Sequence, residues 1–234
     1  MNKSLPRRAV AEFTGTLFLV ATVVGSGVMA ERLATGNVAL ALLANTMATG
    51  AALVALILTF GGISGAHFNP VVTIMDAFER GLPWRETPRY VTAQILGGIT
   101  GTVTAHLMFG LRPISFSQHP RSGGAQDFSE FVATFGLMCV IWGCSRLRSN
   151  AVPFAVAAYI TAAYWFTAST SFANPAVTIA RSLSDTFAGI RPADVPGFMA
   201  AQLLGGFAAT LLFRWLIPGL QARASEVIVP RQSE

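Results

Sequence analysis

Asn69-Pro70-Val71-Val72-Thr73-Ile74 recurs 105 residues later as Asn174-Pro175-Ala176-Val177-Thr178-Ile179. Proline in the first turn of a helix loses nothing, because its missing N–H would be unpaired there, and Asn just before it is a favoured N-cap. Each copy therefore predicts a helix start capped by Asn69 or Asn174. The flanking segments, Gly61 to Glu79 and Ser169 to Asp185, are too rich in Gly, Ser, Asn and Pro to span a membrane, and too apolar to be solvated loops. They read as re-entrant half-helices.

Two further blocks repeat in the same order. Ala11-Glu12-Phe13-Thr14-Gly15-Thr16 matches Ser129-Glu130-Phe131-Val132-Ala133-Thr134, and Ala93-Gln94-Ile95-Leu96-Gly97-Gly98 matches Ala201-Gln202-Leu203-Leu204-Gly205-Gly206. The offsets are 118 and 108, against 105 for the first. The chain thus divides into half-repeats at 1–118 and 119–234 within one structural domain, each reading helix, helix, broken segment, helix. Three spans per half is an odd number, so the second half enters the membrane from the opposite side. Paired broken segments in inverted halves point to a permeation or binding site at the midplane.

Composition agrees. Of 234 residues, 53% are hydrophobic and 12% charged, about half the charge of an ordinary soluble domain. Leu33 to Met75, Val91 to Leu111 and Ser149 to Ala180 contain no Asp, Glu, Lys or Arg, and each is long enough for a spanning helix of roughly 20 residues. Six spans emerge, at about 10–30, 38–60, 90–110, 129–146, 151–169 and 197–217. The expected fold is all-α membrane: six transmembrane helices plus two re-entrant half-helices in an inverted repeat, surrounded by lipid.

The net charge of +5 comes from 16 basic residues, 15 of them Arg, scattered in ones and twos between apolar runs. They read as topology signals, and no nucleic-acid partner is expected. A cytoplasmic N-terminus leaves Arg32, Arg112, Arg121, Arg181 and Arg191 outside and eleven basic residues inside, placing both termini in the cytoplasm. Met1 to Arg8 leads into the first span without a convincing cleavage site, so that span is kept. Cys139 and Cys144, five apart in one apolar segment, read as packing residues.

Half-helices entering from opposite faces bring their N-termini together, with partial positive charge and side-chain amides that donate hydrogen bonds. Such an arrangement repels cations and protons while giving a neutral solute partners for its lost water.

These motifs, Ser64-Gly65-Ala66-His67-Phe68-Asn69-Pro70-Val71-Val72-Thr73 among them, resemble the major intrinsic proteins, the aquaporins and aquaglyceroporins, over nearly the whole chain. The resemblance implies a right-handed bundle, one pore per protomer, usually a homotetramer, and no cofactor or metal. It makes Asn69, Pro70, Val71, Asn174, Pro175 and Ala176 the pore motifs, and gives Glu12 and Glu130 the task of holding the re-entrant loops. His67 takes a pore-adjacent structural place, with pH gating as a minority alternative. His106 and His119 read as packing and loop residues. Gly15, Gly97, Gly98, Gly205 and Gly206 read as close helix contacts.

The sequence also departs from the family. Water-selective members place an Arg directly after the second Asn-Pro-Ala, forming the narrowest ring with an aromatic and often a His, whereas this chain has Val177. By position the other ring members are Thr49, Ala162 or its neighbour Thr161, and Ser171. None is aromatic, His or Arg, which predicts a wide, neutral ring. Arg181 lies one turn beyond Val177, able either to screen cations at the outer mouth or to cap the half-helix and meet headgroups.

The Asp of typical glycerol facilitators and their external insertions are missing. The combination resembles the aquaglyceroporin-like channels of bacterial arsenic-resistance operons, whose likeness implies passage of glycerol-type polyols and arsenite, with water, in an inner membrane. A mainly water-conducting pore is the first alternative. An ion-coupled transporter fits less well, because Glu12 and Glu130 are the only intramembrane charges near the repeats. An enzyme lacks a nucleophile–base or metal constellation.

Overall fold

The computed structural model describes residues 4–147 and 149–217. Lys3, Arg148, Arg223 and Arg231, all counted in the charge asymmetry, lie outside that range, as does the end of the second half-repeat. Eight α-helices are described: α1 (Leu5–Leu33), α2 (Val38–Ser64), α3 (Pro70–Phe78), α4 (Thr87–Met108), α5 (Gly124–Leu147), α6 (Val152–Phe166), α7 (Pro175–Arg181) and α8 (Val195–Leu216). Short 3₁₀ turns precede α6 and α8.

The two short helices, α3 and α7, begin where the repeated Asn-Pro pairs predict. Asn69 and Asn174 are extended N-caps, with the proline in the first turn. Asn69 Oδ1 accepts from the Val71 N–H at 2.9 Å, and Asn174 Oδ1 from Ala176 and Val177 at 3.0 and 3.3 Å. The side-chain oxygens thus satisfy donors that a helix start leaves unpaired.

The long helices α1, α2, α5 and α8 are each apolar and long enough to cross a bilayer. Threonine-rich α4 and the 15-residue α6 complete the six. Their outer faces carry Phe18, Leu58, Phe128 and Trp215, all more than half exposed, a distribution suited to hydrocarbon rather than water.

α1 packs along α4 and α2, α5 packs along α8 and α6, and α2 meets α6. The glycine pairs explain how closely they approach. A Cβ on Gly97 would strike the Phe13 carbonyl of α1, and one on Gly205 the Phe131 carbonyl of α5. The second glycine of each pair faces the other half: Gly98 lies against the Ala176 carbonyl of α7, and Gly206 against Val71 of α3. Each half-helix is therefore wedged against the opposite half's last long helix. Small residues let backbones approach where lipid supplies no hydrophobic drive for association.

Candidate permeation pore

Two buried carboxylates fix the loops that precede α3 and α7. Glu12, wholly buried, accepts hydrogen bonds from Ser64 Oγ (2.6 Å), the His67 and Phe68 N–H groups (3.0 and 2.7 Å) and Gln94 Nε2 (2.8 Å). Glu130 accepts from the Phe172 and Ala173 N–H groups (2.9 and 2.8 Å) and Gln202 Nε2 (2.6 Å). The same glutamines donate to Thr73 Oγ1 (2.8 Å) and Thr178 Oγ1 (2.9 Å), tying each loop to its own half-helix. Buried polar groups persist only when satisfied in this way.

The loops are unusual backbone. Gly65, Ala66 and Phe68 have φ of 95°, 50° and 48°, and Thr170, Ser171 and Ala173 have 61°, 51° and 48°. Positive φ is uncommon away from glycine and costs of order 1–3 kcal/mol per residue, sustained only where the surroundings over-determine it. The clamps and the reciprocal bonds at the loop tips do so here. Asn69 Nδ2 donates to the Ala173 carbonyl and Asn174 Nδ2 to the Phe68 carbonyl, both at 2.7 Å. The half-helix starts therefore meet, and each amide nitrogen retains a second hydrogen.

A cavity of about 690 Å³, its open ends included, runs past this junction. Its wall contains Asn69 and Asn174, Val72 and Val177, His67, Thr49, Ser171, Arg181 and an apolar flank that includes Leu19, Val23, Leu53 and Ile141. Of the residues named from sequence, Thr49, Ser171 and Val177 come together. Pro70, Val71, Pro175 and Ala176 are buried behind them in the half-helices.

Ala162 does not join them. It is exposed on α6, and its neighbour Thr161 packs its hydroxyl against Gly50. The α6 residue that lines the cavity beside Thr49 is Tyr164, 4% exposed, whose hydroxyl lies 3.3 Å from Thr49 Oγ1. Two residues along a helix turn the side chain by about 200°, which separates the outward from the pore face. Tyr164 and Arg181 thus line the cavity together with Thr49, Ser171 and Val177. Arg181 is 2% exposed rather than set among headgroups: it lies in the cavity wall, its Nε donates to the Ala188 carbonyl, and its guanidinium sits 3.4 Å above the Phe172 ring centroid.

His67 Nδ1 contacts Thr73 Oγ1 at 3.1 Å, and its Nε2 lies 3.6 Å from Asp76 Oδ2. His106 is buried, between the Arg112 and Pro113 carbonyls and Ser184 Oγ. Cys139 and Cys144 are free and pack beside the core. Among the described residues no cluster of His, Cys, Asp and Glu is arranged to hold a metal.

Six long helices around two half-helices that meet tip to tip, enclosing one amphipathic passage, define a membrane channel of the aquaporin type. The family described as Major intrinsic protein matches residues 1–151 and 143–233, and the chain belongs to it. It is 56% identical over 213 residues to Aquaglyceroporin AqpS of Rhizobium meliloti (strain 1021), covering 91% of each chain. Probable aquaporin NIP7-1 of Arabidopsis thaliana is 28% identical over 89% of this chain and 76% of that one. The X-ray structure of the aquaglyceroporin from Plasmodium falciparum shares the fold, with a TM-score of 0.67, 20% identity, and 94% and 99% of the two chains covered. This is an integral membrane protein of a channel family whose members pass small neutral solutes and are not enzymes.

Proposed function

We propose that the pore passes glycerol-type polyols and neutral metalloid hydroxides such as arsenous acid, together with water. One observation carries this reading: Val177, at the position that follows Asn-Pro-Ala, lies in the cavity wall, and Arg181 stands one turn farther along the same half-helix. Four residues of helix correspond to roughly 6 Å. Val177 puts an apolar side chain where an arginine would narrow the passage, and the Arg181 guanidinium is held against Phe172 and the Ala188 carbonyl. An apolar flank facing Asn69, Asn174, Thr49 and Ser171 suits a solute with a hydrocarbon face and a hydroxyl face. Likeness to an aquaglyceroporin supports the same solute class.

Arg181 also supplies the positive charge that keeps cations and protons out. The exposed apolar outer faces fit a homotetramer in a bacterial plasma membrane, with both termini cytoplasmic.

Reconstituted vesicles in a hyperosmotic glycerol gradient test the reading by light scattering. Fast shrinkage followed by accelerated reswelling supports it, and Val177→Arg then cuts glycerol flux by about tenfold or more, a barrier raised by roughly 1.4 kcal/mol. Unchanged flux in that variant removes the argument from Val177. Fast shrinkage without reswelling favours a second reading, a mainly water-conducting pore, which the presence of Tyr164 and Arg181 in the wall supports.

A further inference from the structure

The half of the pore built by the second loop holds more positive charge than its neighbours compensate. Phe172 lies between two guanidiniums, Arg181 at 3.4 Å and Arg121 at 5.1 Å from its ring centroid. Arg121 is spent on the protein: its Nε donates to the Gly189 carbonyl at 2.8 Å, and its Nη1 to Ser169 O and Thr170 Oγ1. The buried carboxylate of the clamp, Glu130, is taken up by the Phe172 and Ala173 N–H groups and Gln202.

Arg181 is used differently. One guanidinium face is stacked on Phe172 and its Nε is bonded to Ala188, while its two terminal nitrogens have no hydrogen-bond partner among the described residues. Stacking occupies a face and leaves the in-plane N–H groups, which form the fork that matches a carboxylate. Next along the same wall, Ser171 Oγ is buried and lacks a partner, and Tyr164, also in that wall, holds the Thr49 hydroxyl. A buried hydroxyl without a partner is costly unless something occupies the space, and Arg181 stands in the same cavity wall.

We propose that Arg181, Ser171 and the Thr49–Tyr164 pair form a binding site for a small monovalent oxyanion, a carboxylate of one or two carbons, that occupies the pore and slows neutral-solute flux. The proposal rests on the channel reading above. An anion held at the cation is retained rather than passed, so it competes with the neutral solute for the same wall.

The test uses the full-length protein in neutral-lipid vesicles, with formate replacing chloride equally on both sides at pH 7 and constant ionic strength. Glycerol flux is followed as formate is raised. The expected result is saturable inhibition whose half-point moves up by about tenfold or more in Arg181→Gln, the loss of a charge-assisted fork. In Ser171→Ala the half-point moves in the same direction by a smaller factor, and in Arg181→Lys by an intermediate one, each variant being scored against its own formate-free flux. Formate without effect on a working channel, or inhibition identical in all three variants, overturns the site. Absence of glycerol flux before any formate is added overturns the channel reading instead. Should Arg181→Gln fail to fold, Ser171→Ala and Arg181→Lys decide.

Discussion

The two loop-and-half-helix units superpose in sequence at a single offset of 105, and their likeness stops at charge. Gly65, Ala66 and Phe68 share positive φ with Thr170, Ser171 and Ala173. Asn69 and Asn174 exchange the same bond, Val72 and Val177 face the same cavity, and Thr73 and Thr178 meet the same glutamine amides. Yet His67 with Asp76 in one unit corresponds to Phe172 with Arg181 in the other, each pair in mutual contact. Backbone scaffolding is held constant because both loops face the same problem of unpaired buried N–H groups. The side chains that contact the pore are free to differ, and one unit has become acidic while the other is basic.

The largest expected effect lies in the shared part. Glu12→Gln places an amide N–H₂ among donors that need an acceptor, and each buried donor left unpaired costs about 1–3 kcal/mol. Loss of most folded protein on size exclusion is expected. Glu130→Gln does less harm, since three donors converge on that carboxylate against four on Glu12. Neither variant's residual flux should acquire a steep pH dependence; a strongly pH-gated Glu12→Gln channel would make the carboxylate a proton relay.

Next comes the part that differs. Arg181 lines the cavity whereas Asp76 does not, so the two charges are unequal in their effect on permeant ions. Arg181→Leu is expected to raise proton and small-cation leak through the vesicles by about tenfold, the value of roughly 1.4 kcal/mol of barrier. Asp76→Asn leaves the leak at the wild-type level. Equal leaks in the two variants would show that the acidic and basic units act on the pore alike.

Much of this was legible. Asn before Pro announces a cap, and the repeat announces two of them, so the junction of α3 and α7 followed from residues 69–74 and 174–179. Glu12 and Glu130 stood out as charges where charge is costly. Tyr164 was missed because the ring was placed by counting from the motifs, and a count carries no information about helical phase. Phase was available: Val152, Val156, Ile160 and Tyr164 recur every four residues and all line the cavity, a stripe on one helix face. Gln94 and Gln202 sat inside the repeated block, but the glycines drew the interpretation. The burial of Arg181 was not legible at all, because it depends on Phe172 reaching under the guanidinium from a loop whose positive φ values at Thr170, Ser171 and Ala173 no residue type there favours.

Packing gives a smaller effect and tests the symmetry directly. Gly97→Ala and Gly205→Ala both drive a methyl into a backbone carbonyl, of Phe13 and Phe131 respectively. Carbonyls cannot rotate away as side chains do, so helix pairs must separate, at about 1–3 kcal/mol each. Thermal denaturation in detergent should show similar losses for the two. A loss confined to one would mean that the α1–α4 and α5–α8 contacts carry different shares of the stability.

The smallest effect separates two ends that look equivalent. Glu86 and Asp194 precede α4 and α8 at the offset of the glutamine blocks, and each pairs with an arginine, Arg8 at 2.7 Å and Arg191 at 2.8 Å. The partners differ in what they would lose. The Arg8 side chain is 11% exposed and packs on Tyr90, whereas that of Arg191 is 42% exposed. Removing one member of a pair matters mainly through the charge left behind, which is costly when buried and nearly free when solvated. Asp194→Asn keeps an acceptor for the Arg121 N–H at 2.8 Å and should cost about 1 kcal/mol or less. Glu86→Gln should cost visibly more in the same denaturation series, and raising salt should leave that difference in place, since a buried charge is little screened. Equal costs that vanish together in salt would mean that water reaches Arg8 as freely as Arg191, and that the two helix starts are equivalent in energy as well as in sequence.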